Sequence, residues 1–142
     1  MVQYICENVF VPLRSGPSHK SEMLSQILFG EKYTIVDKSG NWMKIETLFD
    51  KYMGLIDINH LHQSEDEGIS CGHVLNKSLL CYKNDKTKIV LEAGCEVYNP
   101  DFEDKFFFVG KNKYTTTNEF SNHYIATNDT FPDTAMKFIN SP

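Results

Sequence analysis

The chain has 142 residues, of which 41% are hydrophobic, 13% aromatic and 23% charged, and it carries a formal net charge of −5 at pH 7. This is enough apolar material for one ordinary core or two small modules of about 60–70 residues each, with no long charged block and no low-complexity tract. The acidity, with Lys and Arg scattered one or two at a time, argues against a nucleic-acid surface, and no stretch is apolar enough to span a membrane.

Met1–Glu7 has neither a basic leader nor a long apolar run. The default reading is therefore a cytoplasmic protein with reduced thiols, and a periplasmic one if a leader has been removed. The four cysteines, Cys6, Cys71, Cys81 and Cys95, form no CxxC pair, and two disulfides are the minority reading.

Short apolar runs rich in aromatic and β-branched residues, separated by turn residues, predict an all-β fold. In the first half the strands are expected at Tyr4–Cys6, Val9–Leu13, Leu24–Phe29, Lys32–Asp37, Asn41–Thr47 and Tyr52–Ile56. Turn signals stand between them at Arg14–Ser18, Gly30-Glu31, Lys38–Asn41 and Asp50-Lys51. In Trp42-Met43-Lys44-Ile45-Glu46 the alternation puts Met43 and Ile45 on one face and Trp42 and Lys44 on the other. Gln63–Gly68 contains no apolar residue and reads as a linker. Beyond it, strands are expected at His73–Tyr82, Lys88–Leu91, Glu96–Asn99, Lys105–Val109 and Lys113–Thr117, with Lys83–Lys88 as a solvated hairpin turn. Thr130-Phe131-Pro132-Asp133 looks like a cap followed by a first-turn proline. Ala135, Met136, Phe138 and Ile139 follow at helical spacing. This helix would stop after barely two turns at Pro142, which suggests that the chain continues in its natural context.

The run Val11-Pro12-Leu13-Arg14-Ser15-Gly16-Pro17-Ser18-His19-Lys20-Ser21-Glu22-Met23-Leu24-Ser25-Gln26, then Leu28-Phe29-Gly30-Glu31, Trp42 and Asp50-Lys51-Tyr52-Met53-Gly54-Leu55-Ile56, resembles the first bacterial SH3-like domain of NlpC-type dipeptidyl peptidases. Leu91-Glu92-Ala93-Gly94-Cys95-Glu96-Val97-Tyr98, Phe106-Phe107-Phe108-Val109-Gly110 and Tyr114 look like their second SH3-like domain. Ala135–Pro142 looks like the helix that leads into their catalytic domain. The resemblance implies two small SH3-like barrels in tandem, at 1–63 and 69–127, with a linker at 64–68 and a truncated C-terminal lead-in helix at 128–142. Enzymes of this family cleave the γ-D-glutamyl bond to a diamino acid in peptidoglycan stem peptides.

On this reading the chain is not itself an enzyme, because the family's Asp-Cys-Ser-Gly nucleophile segment and its downstream His are absent. The nearest imitation, Cys71-Gly72-His73, has no helix behind it to activate a thiolate. The partners implied are a stem peptide with a free N-terminal L-Ala, and a missing catalytic domain or partner protein. The resemblance assigns recognition of the L-Ala amino group to Glu22 and Tyr52, with Ser21 orienting the loop. A carboxylate pairs with an ammonium, and a phenol offers an apolar wall and a hydroxyl. The alternatives are a solvated loop acid for Glu22 and a barrel aromatic for Tyr52. The pattern departs from the family at Gly16 (often acidic), Lys51 (a turn glycine) and Leu55 (a tryptophan). A second functional reading is a stand-alone adaptor or regulator that binds wall peptide or protein.

No cofactor is called for, and no metal. His60 and His62 with Cys71 and His73 could in principle ligate zinc, but their spacing fits no common finger, and surface histidines are preferred. Trp42 is expected to pack at the core or rim rather than form a peptide platform. Phe106-Phe107-Phe108 reads as a core or inter-domain strand.

Overall fold

The computed structural model describes residues 2–66, 72–116 and 120–125, and the chain divides into two compact units, Met1–Ile69 and Ser70–Pro142. The expected all-β, SH3-like class holds: among the described residues the regular elements are strands and two single 3-10 turns. No helix among them is long and apolar enough to cross a membrane.

The first unit contains β1 (Gln3–Cys6), β2 (Phe10–Arg14), β3 (Met23–Leu28), β4 (Lys32–Ser39), β5 (Trp42–Thr47), β6 (Met53–Asp57), a 3-10 turn (Ile58–His60) and β7 (Gln63–Glu65). They form one antiparallel sheet in the order β3-β2-β6-β5-β4-β1-β7. Period-two alternation fills its core, as Met43, Ile45 and Thr47 of β5 are buried while Lys44 is exposed. Cys6, Val11, Leu13, Ile27, Tyr33 and Ile56 complete the inner face. Gly40, at φ 60°, opens the two-residue β4–β5 turn, a position where a positive φ suits the twist of the hairpin.

The β2–β3 hairpin meets the β4–β5–β6 meander at β2–β6, where Arg14 pairs with Leu55. Close approach there depends on Gly54, because a Cβ at that position would lie 2.7 Å from Leu13 Cβ. The β5–β6 loop is held by Thr47, whose buried hydroxyl donates to Asp50 and accepts from the Tyr52 N–H at 2.9 Å. Lys51 in that loop sits at φ 58°, so the residue that departs from a turn glycine adopts the conformation glycine favours.

The second unit contains β8 (Gly72–Val74), β9 (Leu79–Lys83), β10 (Thr87–Leu91), β11 (Glu96–Asp101), β12 (Phe106–Val109) and β13 (Asn112–Thr116). Their order is β10-β9-β13-β12-β11-β8. Substituting β8–β13 for β1–β6 reproduces the order of the first sheet without its final strand. Phe107 enters the core, stacked on Tyr114 at 5.3 Å, while Phe106 and Phe108 pack edge to face on the other side, with Lys113 Nζ 4.3 Å from the Phe106 ring centre.

Three expectations change or fall outside this description. The polar stretch read as a linker begins as a strand: Gln63–Glu65 pairs with β1, which offers a sheet edge whose backbone bonding needs no apolar side chain. The Tyr33 hydroxyl donates to the Gln63 side chain. Burial, followed by the neighbouring Cys6, raises its pKa far above the ordinary phenol value and keeps it a neutral donor. The run His73–Tyr82 is two strands, not one: its first part pairs with β11, a ladder that the Leu75 N–H extends to the Cys95 carbonyl at 2.8 Å, its last part pairs with β10 and β13, and the exposed Asn76-Lys77-Ser78 stands between them. The C-terminal helix expected at 128–142 lies outside the described residues.

Gly54→Ala should destabilise the first unit by about 1–3 kcal/mol through overpacking against Leu13. The readout is the urea midpoint followed by the fluorescence of Trp42, the single tryptophan of the chain. Lys51→Gly should raise that midpoint, by about 0.5–1 kcal/mol, since it relieves a left-handed backbone at a side-chain-bearing residue. An unchanged or lower midpoint would show that Lys51 is unstrained.

Candidate functional site

The eight-residue connection from Ser15 to Glu22 folds back on itself before β3 begins. Its base is closed by the Ser15 N–H to the Glu22 carbonyl at 2.8 Å, and its tip by Ser18 N–H to Gly16 and Ser21 N–H to Ser18, at 2.8 and 3.0 Å. Arg14 clamps it to the sheet, as Nη1 donates to the Ser21 carbonyl at 3.1 Å. The Arg14 Nε is enclosed with no hydrogen-bond partner among the described residues.

This loop overhangs the outer face of the sheet. There Trp42, the first residue of β5, lies directly opposite Asp57, the last of β6. Together they bound a groove of about 220 Å³ lined by Val11, Pro12, Arg14, His19, Trp42, Asp57 and His60. The side chain of Asp57 is only 12% exposed, and it works in two directions. Its Oδ1 accepts the Asn59 N–H at 3.0 Å, capping the 3-10 turn. Its Oδ2 lies 2.8 Å from His19 Nε2 and 3.5 Å from His60 Nε2. The His19 ring rests on Trp42 with centroids 5.2 Å apart.

Residues 13–61 match the family model of the bacterial dipeptidyl-peptidase Sh3 domain. The match takes in the β2–β3 loop, Trp42, β6 and the 3-10 turn, and leaves β1, β7 and the second unit outside it. It supports an accessory binding role for the matched segment, a type of domain that is typically non-catalytic. No curated protein sequence matches the chain.

The residues expected from sequence to bind substrate fall in two places on the Sh3-type unit. Ser21 and Glu22 close the β2–β3 loop, Ser21 half-buried and Glu22 exposed. Tyr52 stands at the opposite end of the β5–β6 hairpin from Trp42 and Asp57, and it is 44% exposed. None of the three lines the groove. From the sequence His60 enters only beside His62, and the grouping of His19, Asp57 and His60 in the groove is not legible there because 38 and 41 residues separate His19 from the other two. Trp42 is a rim residue, half-buried at the groove wall.

The thiols and the remaining histidines show no activated pair among the described residues. Cys6, Cys81 and Cys95 are fully buried thiols. Burial, and then the nearby Cys95, pushes the Cys81 thiol up to about 12, the opposite of what a nucleophile requires. Cys71 lies outside the described residues. His73, in β8, has an enclosed Nδ1 with no partner among them. Of the His60/His62 pair only His60 joins the Asp57 cluster, and the His62 N–H donates to Asn8 Oδ1 at 2.6 Å.

In a Cys71→Ser variant at pH 8, none of the three remaining thiols should react with Ellman's reagent in the native state, and all three should react in urea. Rapid stoichiometric reaction of the folded variant would contradict their burial.

Proposed function

We propose that the chain is the non-catalytic recognition part of an NlpC-type cysteine peptidase of the cell wall, and that it positions peptidoglycan stem peptides for a catalytic cysteine supplied elsewhere. The observation that carries this reading is the match of residues 13–61 to the bacterial dipeptidyl-peptidase Sh3 domain. It spans the β2–β3 loop with Ser21 and Glu22 and reaches Tyr52 and β6. In this reading the exposed Glu22 carboxylate pairs with the free amino group of the N-terminal L-Ala. Tyr52 contributes a phenol wall, and Ser21, held through its carbonyl by Arg14, fixes the loop. The second unit acts as a further SH3-like domain, a reading supported by its repetition of the strand order of the first. The domains of this reading are 1–63 and 69–127.

A second reading, a stand-alone adaptor that binds a protein or wall-peptide segment, is favoured by the groove beside Trp42, whose walls carry Pro12, Val11 and an aromatic face.

Calorimetric titration with the tripeptide L-Ala-γ-D-Glu-diamino acid distinguishes the two. The recognition reading expects saturable binding that is abolished by N-acetylation of the peptide. It also expects binding to weaken about tenfold in Glu22→Gln and by a smaller factor in Tyr52→Phe, as suits a charge-assisted bond and a neutral one. Absence of saturable binding would sink it. Binding that is indifferent to Glu22→Gln but lost in Trp42→Ala would favour the adaptor.

A further inference from the structure

His19, Asp57 and His60 come from three separate places, the β2–β3 loop, the end of β6 and the 3-10 turn, yet one ligand atom from each lies within 4.8 Å of the other two. Two imidazoles and a carboxylate form a borderline N/O donor set of the kind that zinc and its first-row neighbours prefer. With metal–ligand bonds of about 2.0–2.1 Å, tetrahedral donors stand about 3.4 Å apart. The Asp57–His60 separation of 3.5 Å already meets that figure. The Asp57–His19 separation of 2.8 Å needs only a small opening, and both histidine side chains are largely exposed, at 63% and 74%, and free to make it.

The surroundings of the cluster are those of a held site. Asp57 is oriented by the Asn59 N–H on the oxygen that does not face the histidines. The His60 turn is pinned through its carbonyl, which accepts from Asn8 Nδ2 at 3.1 Å. The loop carrying His19 is braced by its internal bonds and by Arg14, and the His19 ring is backed by Trp42. Three protein ligands leave a coordination position free, and the same three residues line the groove.

We propose that His19, Asp57 and His60 bind a first-row divalent transition-metal ion, zinc foremost, with its open coordination position facing the groove beside Trp42. The ion ties the β2–β3 loop to the end of β6 and so sets the width of the groove. It offers a Lewis-acidic point to an oxygen or nitrogen donor of whatever enters. The site does not depend on the stem-peptide reading, because Glu22, Tyr52 and Ser21 are not among its residues.

The test uses the full chain, freed of metal, with Trp42 as reporter, since its ring touches a ligand and the chain has no other tryptophan. Co²⁺ should quench its fluorescence saturably at one ion per chain, and stoichiometric Zn²⁺ should reverse the quench. Outer-shell partners alone are worth about 10–100-fold in metal affinity, so His19→Ala and His60→Ala should each weaken Co²⁺ binding at least about tenfold. Asp57→Asn, which keeps a capping side chain, should do the same, and His62→Ala should leave binding unchanged. Urea midpoints of the variants check that each remains folded. The proposal is overturned if quenching appears only at millimolar Co²⁺, if Zn²⁺ does not reverse it, or if folded His19→Ala and His60→Ala bind within twofold of the parent chain.

Discussion

The first unit depends on the narrow junction between β2 and β6. A two-stranded hairpin is marginal alone, and the β2–β3 hairpin joins the β4–β5–β6 meander in one sheet where their backbones meet at Arg14 and Leu55. That meeting requires Gly54 to be without a side chain, since Leu13 occupies the space a Cβ would take. Once the junction is made, the inner faces of both halves share one core. On the outer face Arg14 and Pro12 are brought beside Trp42 and Asp57, and His19 of the loop that begins at Ser15 lines the same groove. The groove thus follows from the closure of the sheet.

Burial and polarity are divided sharply across this sheet. The inner face takes the buried thiol of Cys6 and the phenol of Tyr33, the latter held neutral by its burial. The outer face keeps the groups that can donate to a ligand, with Asp57 partly sheltered and both histidines open to solvent. Asp57 does structural and chemical work at once: one oxygen ends the strand cleanly in a capped turn, and the other faces the two imidazoles. A residue that stabilises a turn is a well-oriented ligand, because the order it needs for binding is already established by folding.

The second unit repeats the strand order with a different core. Where the first relies on Tyr33, Met43 and isoleucines, the second stacks Phe107, Tyr114 and Phe120 around leucines and two buried cysteines. One pairing plan therefore accepts two side-chain solutions, as expected when hydrophobic pattern and volume matter more than identity.

Strand content, most strand positions and the alternation that buries Met43 and Ile45 could be read from residues alone, because period-two patterning and Gly-bearing turns are local signals. So could the identity of the β2–β3 loop, whose proline, glycine and small polar residues carry the family resemblance. Three things were decided only by tertiary structure. Gln63–Glu65 became a strand because the edge of β1 was vacant, and edge pairing draws on backbone groups that every residue possesses. The run from His73 was cut in two because its two ends pair with different strands, β11 for the first and β10 and β13 for the second. His19 came to lie against Asp57 and His60 only because closing the sheet carried the loop across Trp42, and no spacing along a chain encodes a meeting between residues that separate strands hold in place.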